Sequence, residues 1–223
     1  MTEGIASARA LAPLVDHTVL RLDAGEREVA RACDEAVEHG FAGVCVREAH
    51  LALVVRRLAG ARPAPIAVAD FALGAAATAA RAEEVGRLAG AGAREIDVVF
   101  PLPRLAARDF PGALADLVAV VRAAGGAAVK VILETGALAD PDKAAACALA
   151  QAAGAAFVKT STGSGRGGAT AEDVALLRAL VGPAGGVKAS GGIRTAADAL
   201  RLVRAGANRL GTSAGVAIVT GAP

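Results

Sequence analysis

The stretch Phe157-Val158-Lys159-Thr160-Ser161-Thr162-Gly163 combines a short apolar strand pattern with a loop of small residues. Alternate side chains of a β-strand point to opposite faces, so Phe157, Lys159 and Ser161 share one face while Val158 lies on the other. Burying a lysine as a cation is costly, and desolvation lowers its pKa. A neutral amine is a nucleophile for carbonyl carbon. For this strand taken alone, the alternative is a lysine that extends from the strand end to water.

Outward from this stretch, the chain repeats a pattern in which a helical segment ends in Gly and a β-rich run follows within a few residues. Gly is common just past a helix C-terminus because it tolerates the left-handed conformation. Six copies of the pattern and two further β-rich runs predict eight strands. The predicted strands cover residues 14–18, 43–46, 66–71, 95–99, 129–133, 157–159, 187–188 and 209–211. Helices are predicted at about 26–38 and 76–89.

Strands that alternate with helices indicate βα units and a parallel sheet. Eight units in 223 residues predict an α/β fold, a single (β/α)8 TIM barrel spanning residues 1–223. A doubly wound sheet is the alternative, but it normally has a Gly-rich dinucleotide loop after its first strand, and the residues after Asp16 show none. The stretch 101–111, with three prolines, is expected to be a loop. The last helix is expected to be short or missing.

The composition argues against several classes of function. A net charge of +2 with 2% aromatic residues gives little basis for binding nucleic acid. Cys33, Cys45 and Cys147 are widely spaced and show neither metal-ligand nor disulfide spacing, so a reducing cytoplasm is expected. The N-terminus shows no signal-peptide pattern, and no window is apolar enough to span a bilayer.

Alternation within the strands predicts where the charged side chains point. Barrel strands turn an apolar face to the helices and the other face into the barrel. By elimination, Asp97, Lys130, Lys159 and Lys188 point inward. An inert ion-pair core is the structural alternative. Since unpaired buried charges would cost several kcal/mol each, a cluster of this kind more often marks a functional site.

The mixture of inward charges predicts a reaction class. Lys188 close to Lys159 would lower the pKa of Lys159 and favour its free amine, which can form a Schiff base with an aldehyde or ketone. Asp97 is a candidate proton shuttle, acting directly or through water. No His-rich or Cys-rich cluster offers a metal site, and no cofactor is required, because an imine serves as the electron sink. A class I aldolase suits these groups best.

Small-residue loops follow the last strands. Residues 190–194 follow strand 7 and residues 211–215 follow strand 8, where this kind of barrel usually binds phosphate through backbone N–H groups. Residues 163–168 form a third, flexible and basic loop after strand 6. We therefore expect a phosphorylated substrate.

At these residues the chain resembles the DeoC/DERA family of 2-deoxyribose-5-phosphate aldolases. The matching stretches, in family order, are Asp16-His17-Thr18, Glu95-Ile96-Asp97-Val98-Val99, Lys130-Val131-Ile132-Leu133-Glu134-Thr135-Gly136, Phe157-Val158-Lys159-Thr160-Ser161-Thr162-Gly163, Gly167-Gly168-Ala169-Thr170, Val187-Lys188-Ala189-Ser190-Gly191-Gly192-Ile193-Arg194 and Gly211-Thr212-Ser213. They run from strand 1 to strand 8, so the resemblance covers nearly the whole chain.

The resemblance implies roles for individual residues. Lys159 would be the Schiff-base lysine, Lys188 the lysine that lowers its pKa, and Asp97 the acid/base group working through water. The implied substrate-binding residues are Asp16, Thr18, Lys130, Thr162, Gly163, Gly191, Gly192 and Ser213, of which Gly191, Gly192 and Ser213 would hold the phosphate. The implied reaction is the reversible cleavage of 2-deoxy-D-ribose 5-phosphate to acetaldehyde and D-glyceraldehyde 3-phosphate. It would serve deoxyribose phosphate and nucleoside catabolism in the cytoplasm.

The chain departs from the family pattern at a few positions. Phe71-Ala72 replaces the usual Phe-Pro, and Arg47-Glu48 stands where many members have Asn-Pro. Ser164 replaces a lysine, for which Arg166 could compensate, and the tyrosine at the end of some members is absent. These departures concern substrate fit and rate more than reaction type.

Two other functions stay open at this point. One is a related Schiff-base aldolase for another sugar phosphate, and the other is a catalytically silent barrel that binds sugar phosphates. A flavin- or nicotinamide-dependent oxidoreductase is disfavoured because the inward lysines would have no role. The sequence does not determine the oligomeric state, and a homodimer is one open alternative.

Overall fold

The computed structural model describes residues 7–165 and 167–221, which form a closed barrel of eight parallel strands arranged in chain order. The strands are β1 (Val15–Val19), β2 (Gly43–Val46), β3 (Ala64–Ala69), β4 (Glu95–Val99), β5 (Ala128–Ile132), β6 (Phe157–Lys159), β7 (Gly186–Ser190) and β8 (Arg209–Thr212). The predicted (β/α)8 TIM barrel is confirmed.

The described residues form nine α-helices around the barrel. They are α1 (Glu26–His39), α2 (Glu48–Arg57), α3 (Thr78–Gly90), α4 (Leu102–Ala106), α5 (Phe110–Ala123), α6 (Asp140–Ala152), α7 (Ala171–Val181), α8 (Ala196–Arg204) and α9 (Gly215–Thr220). Short 3₁₀ helices cover Ala8–Leu14 and Thr135–Ala137. The last helix is present but short, as expected. Among residues 7–165 and 167–221, no helix is both long and apolar enough to cross a membrane.

Helix α1 shows why these segments become helices that pack on the barrel. Its buried residues, Val29, Ala32, Cys33 and Ala36, recur at spacings of three and four and so lie on one face. The helix ends at Gly40, whose φ of 72° lies in the left-handed region that glycine adopts readily.

The stretch 101–111 was wrongly expected to be a loop. It contains the five-residue helix α4 and the start of α5. Pro103 lies in the first turn of α4, where a missing N–H costs no helical hydrogen bond. Asp109 caps α5 by accepting a hydrogen bond from the Gly112 N–H at 2.9 Å. Prolines in this stretch therefore begin helices instead of excluding them.

Several predicted strand ends differ from the observed ones by one or two residues; β5, for example, ends at Ile132 and not at Leu133. Two of the differences have a local cause. Leu14 belongs to the preceding 3₁₀ helix, so β1 begins one residue later than predicted. Strand β3 ends at Ala69 because Asp70 has a φ of 46°, which leaves the extended conformation. Neither displacement changes which side chains face into the barrel.

The barrel interior divides into an apolar part and a charged part. Cys45, Ile66 and Val68 form a separate apolar cluster on the β2 and β3 side, with Leu20 and Phe71 packed against it. The charged part is supplied by β1 and by β4 to β8. In the strand register Asp97 pairs with Lys130. Lys159 pairs with Lys188 in turn. The register thus brings side chains that are distant in sequence into one layer.

Candidate active site

Asp97 is the centre of the charged interior. Its Oδ1 accepts a hydrogen bond from the Lys130 Nζ at 2.8 Å. Its Oδ2 accepts from the Lys159 Nζ at 2.9 Å and from the Lys188 Nζ at 2.7 Å. The structure thus brings together the four side chains that strand alternation directed inward. Asp97 is fully buried, so these contacts are made away from bulk water.

A second layer of charge lies beneath this centre. Asp16 accepts from the Lys188 Nζ at 2.5 Å and from the Arg209 Nη1 at 2.7 Å. Glu95 lies 2.6 Å from the Lys130 Nζ and 2.8 Å from the Arg209 Nη1. The two layers form one continuous network from β1, β4, β5, β6, β7 and β8.

Lys159 differs from the other two lysines in its surroundings. In the described part of the chain, its Nζ contacts a single carboxylate oxygen, the Asp97 Oδ2, which is shared with Lys188. Burial is the main cause that lowers the pKa of Lys159, and the charge of Lys188 lowers it further, while Asp97 opposes both. The direction predicted from the sequence holds, but burial contributes more than the second lysine does.

Lys130 and Lys188 shift in the opposite direction. Burial alone would lower the pKa of each, but the carboxylates beside them raise it: mainly Asp97 for Lys130 and mainly Asp16 for Lys188. Both lysines therefore stay protonated at neutral pH. Only Lys159, of these three, is shifted toward the free amine that attacks a carbonyl carbon.

Asp97 is held strongly in its anionic form. Burial would raise the pKa of Asp97, but Lys130, Lys159 and Lys188 hold it well below its usual value. A carboxylate with so low a pKa and with both oxygens occupied is a weak base. Proton transfer by Asp97 stays a prediction, and the geometry shows directly that it is the shared counter-ion of the lysines.

Two residues predicted to contact substrate are members of the buried network. Asp16 is fully buried and is held by Lys188 and Arg209, which, with Lys130, lower its pKa to about 2 against the opposing effect of burial. Lys130 is also fully buried. Both residues are as deeply buried as Asp97, and their contact with substrate stays a prediction.

Thr18 and Ser213 lie closer to solvent. Thr18 is partly exposed, and its hydroxyl donates to the Asp16 carbonyl at 2.9 Å. Ser213 is exposed just beyond β8. Both residues line a cavity of about 230 Å³ between β1, α1 and α9. The lining of this cavity does not include Asp97, Lys159 or Lys188, so the roles of Thr18 and Ser213 in binding substrate stay predictions.

The loops after β6 and β7 are fastened to each other. The Ser190 hydroxyl donates to the Ser161 carbonyl at 2.5 Å, and the Ala169 N–H donates to the Gly191 carbonyl at 3.1 Å. A Cβ on Gly168 would lie 2.4 Å from that same carbonyl oxygen, so the two backbones approach too closely for any other residue. The predicted phosphate loop after β7 and the basic loop after β6 therefore form one unit.

Within this unit the predicted binding residues are arranged around the mouth of the barrel. Thr162 is buried, and its Oγ1 accepts from the Ser164 and Gly165 N–H groups at 3.1 and 3.2 Å. Gly163 and Gly192 are exposed, and Gly191 is half-buried. Gly191 and Gly192 have φ values of 90° and 77°, which glycine adopts without strain. Arg166, which was named as a compensating cation, lies outside the described residues.

Three functional candidates escaped the sequence analysis. Glu134 is buried, and its Oε2 accepts from the Thr162 N–H at 3.2 Å, so it fixes the start of the loop after β6. Its place in a matching stretch was the available signal. Arg209 and Glu95 complete the lower layer of charge. Alternation in β4 put Glu95 on the face of Asp97, but nothing in the sequence paired it with Arg209.

A metal site finds no support in residues 7–165 and 167–221, where no group of three or more His, Cys, Asp or Glu side chains is arranged to hold an ion. The cations of the network come from the chain itself. The arrangement offers one amine of lowered pKa, buried fixed charges around it and a mouth lined by glycine loops.

Comparison with known proteins gives consistent matches. The profile of the DeoC/LacD family aldolases matches residues 10–221. A deoxyribose-phosphate aldolase of Halalkalibacterium halodurans is 46% identical over 216 residues, 96% of this chain and 96% of that protein. One of Listeria monocytogenes is 47% identical over 212 residues, 95% of each. The tetrameric deoxyribose phosphate aldolase from Aeropyrum pernix has a TM-score of 0.89 and 33% identity, covering 96% of this chain and 91% of that one.

Proposed function

This chain belongs to the DeoC/LacD family of aldolases, and on that premise we propose that it is a class I deoxyribose-phosphate aldolase. Its reaction would be the reversible cleavage of 2-deoxy-D-ribose 5-phosphate to acetaldehyde and D-glyceraldehyde 3-phosphate. The observation that carries the mechanism is the contrast between Lys159, whose pKa is lowered, and Lys130 and Lys188, whose pKa values are raised.

The first step joins enzyme and substrate. The neutral Nζ of Lys159 attacks C1 of the open-chain sugar, and the resulting carbinolamine takes up a proton at its hydroxyl group and loses water to give a protonated imine. The positive imine nitrogen forms beside the Asp97 Oδ2, which lies 2.9 Å from the Lys159 Nζ. A carboxylate already oriented toward this nitrogen stabilises the charge that develops there.

The second step breaks the carbon–carbon bond. The C3 hydroxyl loses its proton, the bond between C2 and C3 breaks, and its electron pair passes into the imine to give an enamine. D-Glyceraldehyde 3-phosphate leaves with C3 as its aldehyde carbon. Protonation of the enamine at C2 and hydrolysis of the imine then release acetaldehyde and restore the Lys159 amine. Asp97 is our candidate for moving these protons through water.

The phosphate end of the substrate would lie at the loops after β7 and β8. Gly191 and Gly192 follow β7 and Ser213 follows β8, at the carboxyl ends of strands where barrels of this kind bind phosphate. Contacts at this end align the carbonyl carbon with Lys159, so the binding energy serves the reaction as well as affinity.

The test is reductive trapping. Incubation with acetaldehyde and borohydride should add an ethyl group to one lysine, and peptide mass spectrometry should locate it at Lys159. Lys159→Ala should abolish trapping and turnover while circular dichroism stays that of the folded protein. Lys143→Ala is the matched control, since Lys143 is also a paired lysine but lies on α6 and binds Asp140 and Asp173.

The outcomes separate the alternatives. Trapping at another lysine, or normal turnover by folded Lys159→Ala, would refute the mechanism. Binding of sugar phosphates without trapping would favour a silent barrel. Faster trapping with a different phosphorylated sugar in a panel would favour a related aldolase.

Assembly and cellular context are part of the same proposal. The Aeropyrum pernix relative is tetrameric, and we propose that this chain also self-associates, with a homodimer as the smallest form. Sedimentation velocity at several protein concentrations tests this. We also place the enzyme in the cytoplasm, in the catabolism of deoxyribose phosphate derived from nucleosides.

A further inference from the structure

We propose that Arg209 and Glu95, at the N-terminal end of the barrel, are positioning residues that leave Lys159 as the lysine without a carboxylate of its own. Neither residue lies at the mouth where substrate would enter. The inference rests on the proposed function, in which the Lys159 amine forms the imine. In this inference, the charges in the layer below determine that Lys159, and not Lys130 or Lys188, supplies the free amine.

Arg209 closes the lower layer through contacts to three strands. Its Nη1 lies 2.7 Å from the Asp16 Oδ1 and 2.8 Å from the Glu95 Oε2, and its Nη2 donates to the Glu95 Oε1 at 3.2 Å. Its guanidinium carbon also lies 5.1 Å from the centre of the Phe157 ring, on the strand that carries Lys159. These contacts fix the guanidinium in one place.

The charges of the network do not cancel when every group is ionised. It contains four basic groups, Lys130, Lys159, Lys188 and Arg209, and three carboxylates, Asp16, Glu95 and Asp97. A guanidinium keeps its charge at any pH that a protein survives. One lysine must therefore lose its proton if the buried network is to be neutral.

The contacts decide which lysine that is. Lys130 lies within 2.8 Å of Glu95 and Asp97, and Lys188 lies within 2.7 Å of Asp16 and Asp97. Lys159 contacts only an Asp97 oxygen that Lys188 also contacts, among the residues described. Arg209 and Glu95 are paired with each other and with their neighbours. Lys159 is therefore the lysine that loses its proton when the network becomes neutral.

Several charged or titratable groups act on the Lys159 amine. Asp97 on β4, Lys188 on β7 and Cys45 on β2 act on it directly. Lys130 on β5 acts through Asp97, and Asp16 on β1 acts through Lys188. Arg209 and Glu95 are the outermost members of this set, so changing them alters the field at Lys159 without removing a group that touches it.

The geometry predicts opposite effects for the two residues. Arg209→Met removes a positive charge, so the remaining carboxylates favour the ammonium form and raise the pKa of Lys159. Glu95→Gln removes a negative charge and lowers the pKa of Lys159. Each shift should be on the order of one pH unit, which is the size expected for one unit charge acting across a buried network. The double variant should return close to the wild-type value.

The experiment measures the rate of borohydride trapping with acetaldehyde between pH 5 and pH 10, with the modified residue located by mass spectrometry. The midpoint at which trapping rises with pH reports the ionisation of Lys159. Arg209→Lys keeps the charge and should keep the midpoint near that of the wild type. Arg94→Met is the matched control, because Arg94 is next to Glu95 in sequence but binds the carbonyls of Arg62 and Pro63.

Opposite shifts in the two folded variants, with cancellation in the double variant, would support the proposal. Shifts in the same direction, unchanged midpoints, or a shift as large in Arg94→Met would overturn it. If Arg209→Met does not fold, Glu95→Gln decides alone: a midpoint that does not fall refutes the proposal. Failure of the wild type to be trapped at Lys159 would instead refute the proposed function, so the two failures are distinct.

Discussion

Three lysines share the carboxylate of Asp97, and at the scale of single residues they differ in how many other anions they reach. Lys130 and Lys188 each have a second carboxylate within hydrogen-bond distance, at Glu95 and Asp16 respectively. Lys159 lies on the short strand that leads into the glycine-rich loop. The proposed nucleophile, Lys159, therefore has one ion pair fewer than Lys130 and Lys188, which stay protonated.

Replacement of Lys188 tests its influence on Lys159. Lys188→Leu removes the positive charge that shares the Asp97 Oδ2 with Lys159, so the pKa of Lys159 should rise. At neutral pH, kcat/KM should fall roughly tenfold for each unit of that rise, and alkaline pH should restore part of it. The measurement is kcat/KM against pH for both proteins. An unmoved lower limb, with only phosphate affinity reduced, would show that Lys188 has a different role.

At the scale of elements, the loops after β6 and β7 act as one piece because Gly168 and Gly191 touch through their backbones. Within this unit, a side chain introduced at an exposed glycine should interfere with binding of the substrate phosphate. A Cβ on Gly192 would meet nothing within 4 Å, so a side chain there would extend into the space where we place the phosphate.

Gly192→Val should therefore weaken the preference for the phosphorylated sugar. Wild-type kcat/KM should be roughly a hundredfold or more greater for 2-deoxyribose 5-phosphate than for 2-deoxyribose, and the variant should show a smaller ratio. Gly60→Val is the matched control, because Gly60 has a φ of 76°, also has open space at its Cβ and lies between α2 and β3. Both variants should lose stability, whereas only Gly192→Val should change the ratio.

A buried arginine ties α3 to the ends of β3 and β4. Arg81 is fully buried, pairs with Asp70 and donates to the Val99 carbonyl at 2.6 Å. Its Nε also lies 3.0 Å from Asp116 of α5. The contacts link two helices to two strand ends on the side of the mouth opposite the phosphate loops.

Arg81→Met should lower the free energy of unfolding by roughly 3–5 kcal/mol, because it leaves two carboxylates without their buried partner. Arg87→Met on the same helix is the control, since Arg87 is half-exposed and its pairs with Glu48 and Glu83 are at the surface. That variant should lose at most about 1 kcal/mol. Urea unfolding measures both, and equal losses would contradict the structural assignment.

Most helices and strands could be predicted from the sequence. The main error, the loop predicted at residues 101–111, has a physical cause. Glycines at helix ends and the β-rich runs after them are local features that located six strands, and two further β-rich runs located β1 and β3. The prolines near residue 101 misled because proline is unfavourable inside a helix but favourable in its first turn. Only the capping contact between Asp109 and Gly112, which the structure supplies, distinguishes the two cases.

At the scale of the whole molecule, the network depends on closure of the barrel. Asp16 and Arg209 are 193 residues apart in sequence and lie on strands that become neighbours only when β8 meets β1. The sequence could predict that charged side chains face inward, because strand alternation is local. It could not predict their partners or their depth, which is why the pairing of Arg209 with Asp16 and Glu95 was overlooked.

Closure of the barrel also makes its stability depend on the ionisation of Asp16. The pKa of Asp16 is about 2 in the folded protein and 3.8 when unperturbed, so the folded state favours the carboxylate by about 2 kcal/mol. That contribution is fully present above about pH 5 and is lost as the pH falls through 3.8 toward 2.

Asp16→Asn cannot ionise, so the stability difference from wild type should be largest near neutral pH and should shrink on acidification. Urea unfolding from pH 7 to pH 3 measures it. Asp34→Asn, which removes a surface partner of Arg57, should give a curve parallel to that of the wild type. A wild-type advantage over Asp16→Asn that stays constant with pH would show that the carboxylate of Asp16 is not preferentially stabilised in the fold.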